Sequence, residues 1–348
     1  MIKTKFGSYC INDVAEGCKM CVRGEKLVLF ITGICDRNCK YCSLSNLRKN
    51  KDDIWTNERK INSIKEMIEE VKESHAKGAG ITGGNPLLKL DRTIEYASAL
   101  KKEFGKEFHI HIYLPTNLVD CEKLEKLSRV IDEVRFHAEF LNKDLNYGEI
   151  EKEIEKLKLA GKFFKKESIG IELPMIPDKE QKIFEFIKKV SPYIGFVNLN
   201  EFEVGESNID FVTDNYNLEE GGYIISGSKK AGINLLKKLE EQGTNLKVHF
   251  CTANTKNRFQ YANRLKKHDI LPYGHRNKEG TVIYLIVNDR KEFEGLIKKY
   301  PEDTYYDKIK DRIIISEGLA KRMINKISIE RVEEFPTFDR IEVECEKI

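Results

Sequence analysis

Residues 26–47 read KLVLFITGICDRNCKYCSLSNL. The apolar run Leu27-Val28-Leu29-Phe30-Ile31 predicts a strand of the fully buried kind found in parallel sheets. It stops at Thr32-Gly33, and Cys35, Cys39 and Cys42 follow in a C-x3-C-x2-C spacing. Three thiolates on one short loop can point at a single iron–sulfur cubane and leave one iron without a protein ligand. Zinc sites usually pair C-x2-C knuckles to close a tetrahedron. A strand that ends in three cysteines thus predicts a cluster with an open position, with a structural zinc or iron–sulfur knot as the rival reading.

Outward from this stretch, helix and strand alternate. Residues 61–77 carry a helical stripe at Ile61, Ile64, Met67, Ile68 and Val71. A short strand and the turn Gly83-Gly84-Asn85-Pro86 come next, then a helix over 90–104. The strand 108–115 sets Ile110 and Ile112 on one face and His109, His111 and Tyr113 on the other. Further strands are expected over 132–140, 168–176 and 194–202, each followed by a helix, and a late strand over 246–250. Counted from Leu27 there are six strand–helix units, and their short connections favour right-handed parallel crossovers. The fold class is α/β: a partial (β/α)6 TIM-like barrel, preceded by an N-terminal cysteine-rich segment and followed by a small C-terminal α+β domain. Expected boundaries are 1–25, 26–274 and 275–348. In such barrels chemistry sits at the C-terminal strand ends, where the cysteine loop falls. The polar segment 207–226 reads as a long functional loop or lid.

Arg135 and His137 alternate with Val134 and Phe136 and so share one strand face, as do Asn198 and Asn200. On an interior face Arg135 suits a carboxylate, which a guanidinium grips bidentately. His137 could shuttle a proton or bond to substrate. The rival is that both lie outward under a helix as satisfied polar groups. Two amides in a strand core suggest a polar pocket.

The cysteine loop, its preceding strand and the aromatic Tyr41 just before the third cysteine together resemble the radical SAM superfamily. That resemblance implies a [4Fe-4S] cluster on Cys35, Cys39 and Cys42, with S-adenosylmethionine chelated to the open iron and Tyr41 near its adenine. Gly83-Gly84-Asn85-Pro86 resembles the superfamily's GGEP turn, which holds the amino group of S-adenosylmethionine. Here Asn85 replaces the acid, so an amide oxygen can accept the hydrogen bond without contributing charge. By the same resemblance Glu172 falls where a ribose contact is expected, and Asn198, Asn200 and Glu201 where substrate and adenosyl contacts are usual. A closer likeness is to an archaeal family related to pyruvate formate-lyase activating enzyme. It runs through the N-terminal cysteines, the TG-x-C-x3-C-x2-C and TGGNP motifs and a C-terminal PT-x-D segment. The implied reaction is reductive cleavage of S-adenosylmethionine to a 5′-deoxyadenosyl radical that abstracts hydrogen, fed by a ferredoxin or flavodoxin. The expected substrate is a macromolecule, a protein or tRNA. A small metabolite is the near rival, and a non-catalytic, metal-stabilised nucleic-acid-binding protein the rival of another class.

Cys10, Cys18 and Cys21 form a second group, spaced C-x7-C-x2-C. A fourth ligand is needed to close a zinc site or a second cluster, and Cys251 is the best candidate, ahead of His249. Cys121 and Cys345 read as packing residues. Nine cysteines without a signal peptide suit metal binding in a reducing compartment better than disulfides. The net charge of +3 is spread over 348 residues, so no global field points to nucleic acid. The basic run Lys256, Arg258, Arg264, Lys266 and Lys267, with Phe259 and Tyr261, reads as a solvated helix face, with a nucleic-acid contact as the rival reading. No apolar run reaches the length of a membrane span, and a cytoplasmic location is expected.

Overall fold

The computed structural model describes residues 1–142 and 146–348. Two short strands, β1 (Ile2–Lys3) and β2 (Tyr9–Ile11), and helix α1 (Glu16–Val22) lead into β3 (Lys26–Phe30), the expected apolar strand. After the cysteine loop comes a hairpin absent from the sequence-based expectation, β4 (Ile54–Thr56) and β5 (Arg59–Ile61). Its signal is a break at Asn57, which adopts φ 51° and caps the turn. The Asn57 side chain accepts from Val28 N–H (3.0 Å) and donates to Glu70 (2.7 Å).

From there the alternation is regular. The elements are α2 (Ile64–Glu73), β6 (Gly78–Thr82), α3 (Leu90–Phe104), β7 (His109–Pro115), α4 (Cys121–Ser128), β8 (Glu133–His137) and α5 (Tyr147–Ala160). They continue as β9 (Ile169–Met175), α6 (Glu180–Val190), β10 (Phe196–Glu201), α7 (Ile209–Asn215), α8 (Ser228–Glu241) and β11 (Lys247–Cys251). Among the described residues they build one sheet in the order β1-β2-β11-β10-β9-β8-β7-β6-β3-β4-β5. β3 and β6 to β11 are all parallel, so the expected partial barrel is present with the late strand as one more member. β2 flanks one side antiparallel and β4 the other, and the two margins of the sheet do not pair. The expected strand over 132–140 is shorter: Glu139–Leu141 turns out of the sheet as a 3-10 helix. The expected lid over 207–226 contains α7 and is pinned by bridges from Glu203 to Ile224 and Leu218 to Ile225.

Strand alternation divides this sheet into two chemistries. Leu27, Leu29, Ile81, Ile110, Ile112, Val134, Phe136, Ile171, Leu199 and Phe250 face the helices and are fully buried. Each such side chain contributes roughly 1.5–3 kcal/mol of burial. The opposite face, the barrel interior, carries Lys26, His111, Tyr113, Arg135, Glu172, Asn198 and His249. Helix α1 seals the interior at the N-terminal strand ends. Its Gly17 N–H donates to Glu133 Oε2 (3.2 Å). A Cβ at Gly17 would lie 2.6 Å from Arg135 Nη2 and 2.7 Å from His111 Nδ1, so only glycine lets the helix approach this far.

The chain divides into two compact units, residues 1–72 with 76–260, and residues 73–75 with 261–348. The second begins before the boundary expected near residue 275. Arg276 donates to the carbonyls of Leu265 (2.5 Å) and His268 (2.6 Å), and Leu271 N–H donates to Tyr284 Oη (3.1 Å), which ties 262–276 to the later strands. Those strands are β12 (His275–Arg276), β13 (Val282–Val287), β14 (Thr304–Asp307), β15 (Arg312–Ile315), β16 (Glu330–Glu334) and β17 (Glu342–Lys347). They pair antiparallel as β14-β15-β13-β16-β17, with β12 on β13 and helices Arg290–Lys299 and Glu317–Met323 between strands. Among the described residues no helix is long and apolar enough to cross a membrane.

Candidate active site

At the C-terminal strand ends stands the loop between β3 and β4. Its neck is closed by Gly33 N–H to Lys51 O (2.7 Å) and Asn50 N–H to Gly33 O (3.0 Å). Asp52 holds the neck in place, accepting from Arg92 Nη1 (2.6 Å) and Thr32 Oγ1 (2.8 Å) and pairing with Lys89 (2.7 Å). The Arg92 hydrogen bond, above all, keeps the Asp52 carboxyl well below the usual carboxylate range. Cys35, Cys39 and Cys42 are free, half-buried thiols, and all three line a cavity of about 1070 Å³.

Two segments brace this loop. The turn after β6 lies against its start: Gly84 N–H donates to Thr32 O (2.7 Å) and Asn85 N–H to Ile34 O (2.9 Å). A Cβ at Gly84 would come within 2.2 Å of Ile34 O and 2.9 Å of Cys35 Cβ, which explains the glycine. From the other side, Ser207 Oγ donates to Cys42 O (2.6 Å), Asn208 Nδ2 to Tyr41 O (3.1 Å), and Asn46 N–H to Glu206 Oε2 (2.6 Å). The segment read as a lid is thus a strap on the third cysteine.

The donor set, three free thiols of one loop on one cavity, is of the kind that holds an iron–sulfur cubane. Among the described residues, no three cysteine sulfurs lie within 4.8 Å of one another. A tetrahedral zinc with Zn–S bonds of about 2.3 Å requires sulfurs only ~3.8 Å apart. Burial pushes the Cys35 and Cys39 thiols up.

Beneath the mouth runs a connected polar network. Glu172 Oε2 accepts from Arg135 Nη1 (3.0 Å), and Glu172 Oε1 accepts from Asn200 Nδ2 (2.6 Å) and from Asn198 Nδ2. Asn198 Oδ1 accepts from His249 Nδ1 (2.6 Å). Arg135 Nε donates to Glu133 Oε1 (2.7 Å), and its guanidinium lies 5.5 Å from the ring centroids of both Tyr113 and Phe196. His137 Nδ1 meets Glu172 O at 2.9 Å; a carbonyl only accepts, so Nδ1 carries the proton and Nε2 accepts from Tyr41 Oη (2.8 Å). Burial lowers the His137 pKa to about 4, which keeps the ring neutral at pH 7. Arg37 completes the linkage, donating to His137 O (2.7 Å) and Thr116 Oγ1 (2.8 Å).

Several residues singled out in the sequence meet here, and several stand elsewhere. Tyr41, Gly83, Gly84, His137, Glu172, Asn200 and Glu201 line the cavity with the three cysteines. Arg135 does not. It is 1 % exposed and its donors are taken by Glu133, Glu172 and the Cys18 sulfur, so it is not free for a ligand carboxylate. Asn198 is likewise buried off the cavity wall. Asn85 is fully buried; its oxygen accepts from Leu87 N–H (3.1 Å) and its amide donates to Asp36 (2.9 Å). Asn85 and Pro86 therefore shape the turn and leave the cavity wall to the two glycines. The Glu201 carboxylate is engaged by Ala253 N–H (2.7 Å). Cys121 and Cys345 are exposed, against the expectation that they pack. Cys10, Cys18, Cys21 and Cys251 are not gathered into a closed zinc tetrahedron. Sequence patterns did not reveal Arg37, Asn208, or the π-helical turn Lys256–Tyr261, which brings Lys256 and Gln260 to the cavity wall.

A partial parallel barrel with a cavity at its C-terminal strand ends, lined by three cysteines above a polar interior, has the architecture of a barrel enzyme. Comparison with known proteins gives the family. Residues 29–190 match the Radical SAM superfamily model. Over 363 residues the chain is 35% identical to a Methanocaldococcus jannaschii protein provisionally named a glycyl-radical enzyme activating enzyme, with 96% of this chain and 92% of that one covered. Among solved structures, the chain aligns with the radical S-adenosylmethionine methyltransferase TsrM from Kitasatospora setae, solved with tryptophan and aza-SAM. That alignment has a TM-score of 0.39 and 9% identity, and covers 76% of this chain and 56% of that one. The chain belongs to the radical SAM superfamily and is an enzyme of that class. Its chemistry is S-adenosylmethionine-dependent radical chemistry, and membership implies S-adenosylmethionine and a [4Fe-4S] cluster as cofactors.

Proposed function

We propose that Cys35, Cys39 and Cys42 hold a [4Fe-4S] cluster and that the enzyme acts on a protein substrate. The observation that carries this reading is three free thiols on one braced loop, all opening on one cavity at the C-terminal strand ends. When bound, the cluster supplies one electron to S-adenosylmethionine, giving methionine and a 5′-deoxyadenosyl radical that takes hydrogen from the substrate. The remaining tasks fall to the chain's own side chains. Gly83 and Gly84 offer backbone close to the cysteine loop, while Tyr41 and neutral His137 form one wall. Glu172 is held by Arg135, Asn198 and Asn200, and it presents a fixed carboxylate edge to the cavity. The buried interior limits water around the reacting carbon.

A protein substrate is supported by the relative named as an activating enzyme, which is 35% identical over nearly the whole chain. The electron would come from a low-potential donor such as a ferredoxin or flavodoxin. The test is anaerobic reconstitution with iron and sulfide, followed by dithionite and S-adenosylmethionine. The expected product is 5′-deoxyadenosine, lost when Cys35, Cys39 or Cys42 becomes Ala. Absence of that product from the wild-type chain would overturn the reading. Deuterium moving into 5′-deoxyadenosine from a low-molecular-weight extract fraction, and not from a protein fraction, would replace the protein substrate with a metabolite.

A further inference from the structure

Four cysteines outside the loop stand on β2, α1 and β11, which border one side of the barrel interior. β2 pairs antiparallel with β11 so that Cys10 stands directly opposite His249 and shares its face. That face is the interior one, because His249 Nδ1 bonds Asn198 Oδ1. Cys251, two residues beyond His249, lies on the same face, and its Sγ accepts from Gln260 Nε2 (3.3 Å). Helix α1 contributes the other two. Cys18 Sγ lies 3.4 Å from Arg135 Nη2, and Cys21 lines the same cavity as the cysteine loop, beside Lys26.

We propose that Cys10, Cys18, Cys21 and Cys251 ligate a second iron–sulfur cluster, of the [4Fe-4S] type, at the floor of the cavity. Two of the four sulfurs, Cys18 and Cys251, have an N–H donor aimed at them, an arrangement that suits metal-bound thiolates, and Cys18 Sγ also lies 3.7 Å from Asn198 Oδ1. A fully buried guanidinium gains little from a neutral thiol, whereas a ligating thiolate is an anionic acceptor, and N–H groups directed at ligand sulfurs are a usual outer layer of iron–sulfur sites. No three of these sulfurs lie within 4.8 Å of one another, wider than one zinc ion requires. Four protein ligands leave no open iron, so this centre cannot chelate S-adenosylmethionine.

The variant Cys35→Ala/Cys39→Ala/Cys42→Ala isolates the proposed centre. Reconstituted anaerobically, it is expected to keep about four iron and four sulfide per chain, against about eight of each in the wild type. Its reduced EPR signal should not change when S-adenosylmethionine is added. The complementary variant Cys18→Ser/Cys21→Ser should also keep about four iron, but with a signal that shifts on adding S-adenosylmethionine. A triple variant that folds with the wild-type melting temperature and binds no iron, or binds zinc without sulfide, overturns the proposal. Should the Ser variant fail to fold, the iron content of the triple variant still decides. The outcomes separate the two centres. Iron in the triple variant with no wild-type 5′-deoxyadenosine would defeat the proposed reaction and leave this cluster standing, and the reverse pattern would defeat only this cluster.

Discussion

Arg135 is the residue on which the interior turns. It is buried between two carboxylates, Glu133 and Glu172, and two aromatic rings. Removing one partner of a buried ion pair typically costs 3–5 kcal/mol, because the remaining charges stay desolvated. Arg135→Ala is therefore expected to lose about that much stability, read as a lower urea midpoint with an unchanged m value. The buried histidines set the acid response. Burial lowers the pKa of His109 and of His137 to about 4, below the unfolded value near 6.5. Below pH 6.5 the unfolded chain binds more protons than the folded one, so the stability these rings contribute is full above 6.5 and lost as pH falls toward 4. The expected loss by pH 5 is on the order of 1–2 kcal/mol per ring. Urea midpoints from pH 7 to 5 should fall, and fall less steeply in His137→Gln.

At the scale of elements, α1 and the strap over the cysteine loop decide how the site is held. Gly17→Ala would place a Cβ 2.6 Å from Arg135 Nη2 and 2.9 Å from Glu133 Oε1, groups that are themselves locked. Overpacking of this kind costs roughly 1–3 kcal/mol, and a thermal melt of the variant checks it. Asn208→Ala deletes the donor to Tyr41 O and Glu203 O. Amide exchange within residues 41–47 should then rise several-fold. The single tryptophan, Trp55, reports on the same loop because the Arg48 guanidinium lies 4.6 Å from its ring centroid, so its emission should change in this variant. Most elements were legible in the sequence: the stripe of α2, the bounds of α3, and the alternation of β7, where His109, His111 and Tyr113 interleave with isoleucines. The β4–β5 hairpin was not, since three residues per strand give periodicity too little length to register. The brace from Ser207 and Asn208 was hidden because those hydrogen bonds join residues far apart in the chain.

At the scale of the molecule, each unit carries its own buried charge network. In the second unit Arg312 is 1 % exposed and bonds Asp307 (3.1 Å) and Glu334 (2.8 Å), while Arg340, directly after the PT-x-D segment, reaches Asp307 (2.8 Å). Arg340 thereby anchors the β16–β17 connection. Arg312→Ala should destabilise residues 261–348 by about 3–5 kcal/mol, seen as faster amide exchange across β13 to β16.

The sequence by itself determined the cysteine spacing, the strand that delivers it, the order of strands and helices, and which residues share a strand face. These follow from local rules: thiolate count, and a side-chain period of two or of 3.6. The tertiary structure alone decided what each polar residue does on its face. Arg135 could have met a ligand, but β9 brings Glu172 beside it and β8 supplies Glu133, so its charge is spent inside the wall. Cys10 stands opposite His249, and Cys18 beside Arg135, only because β2 docks on β11 and Gly17 admits α1. Periodicity fixes a direction for each side chain, but partners come from strands tens of residues away, and only the packed sheet brings them within reach.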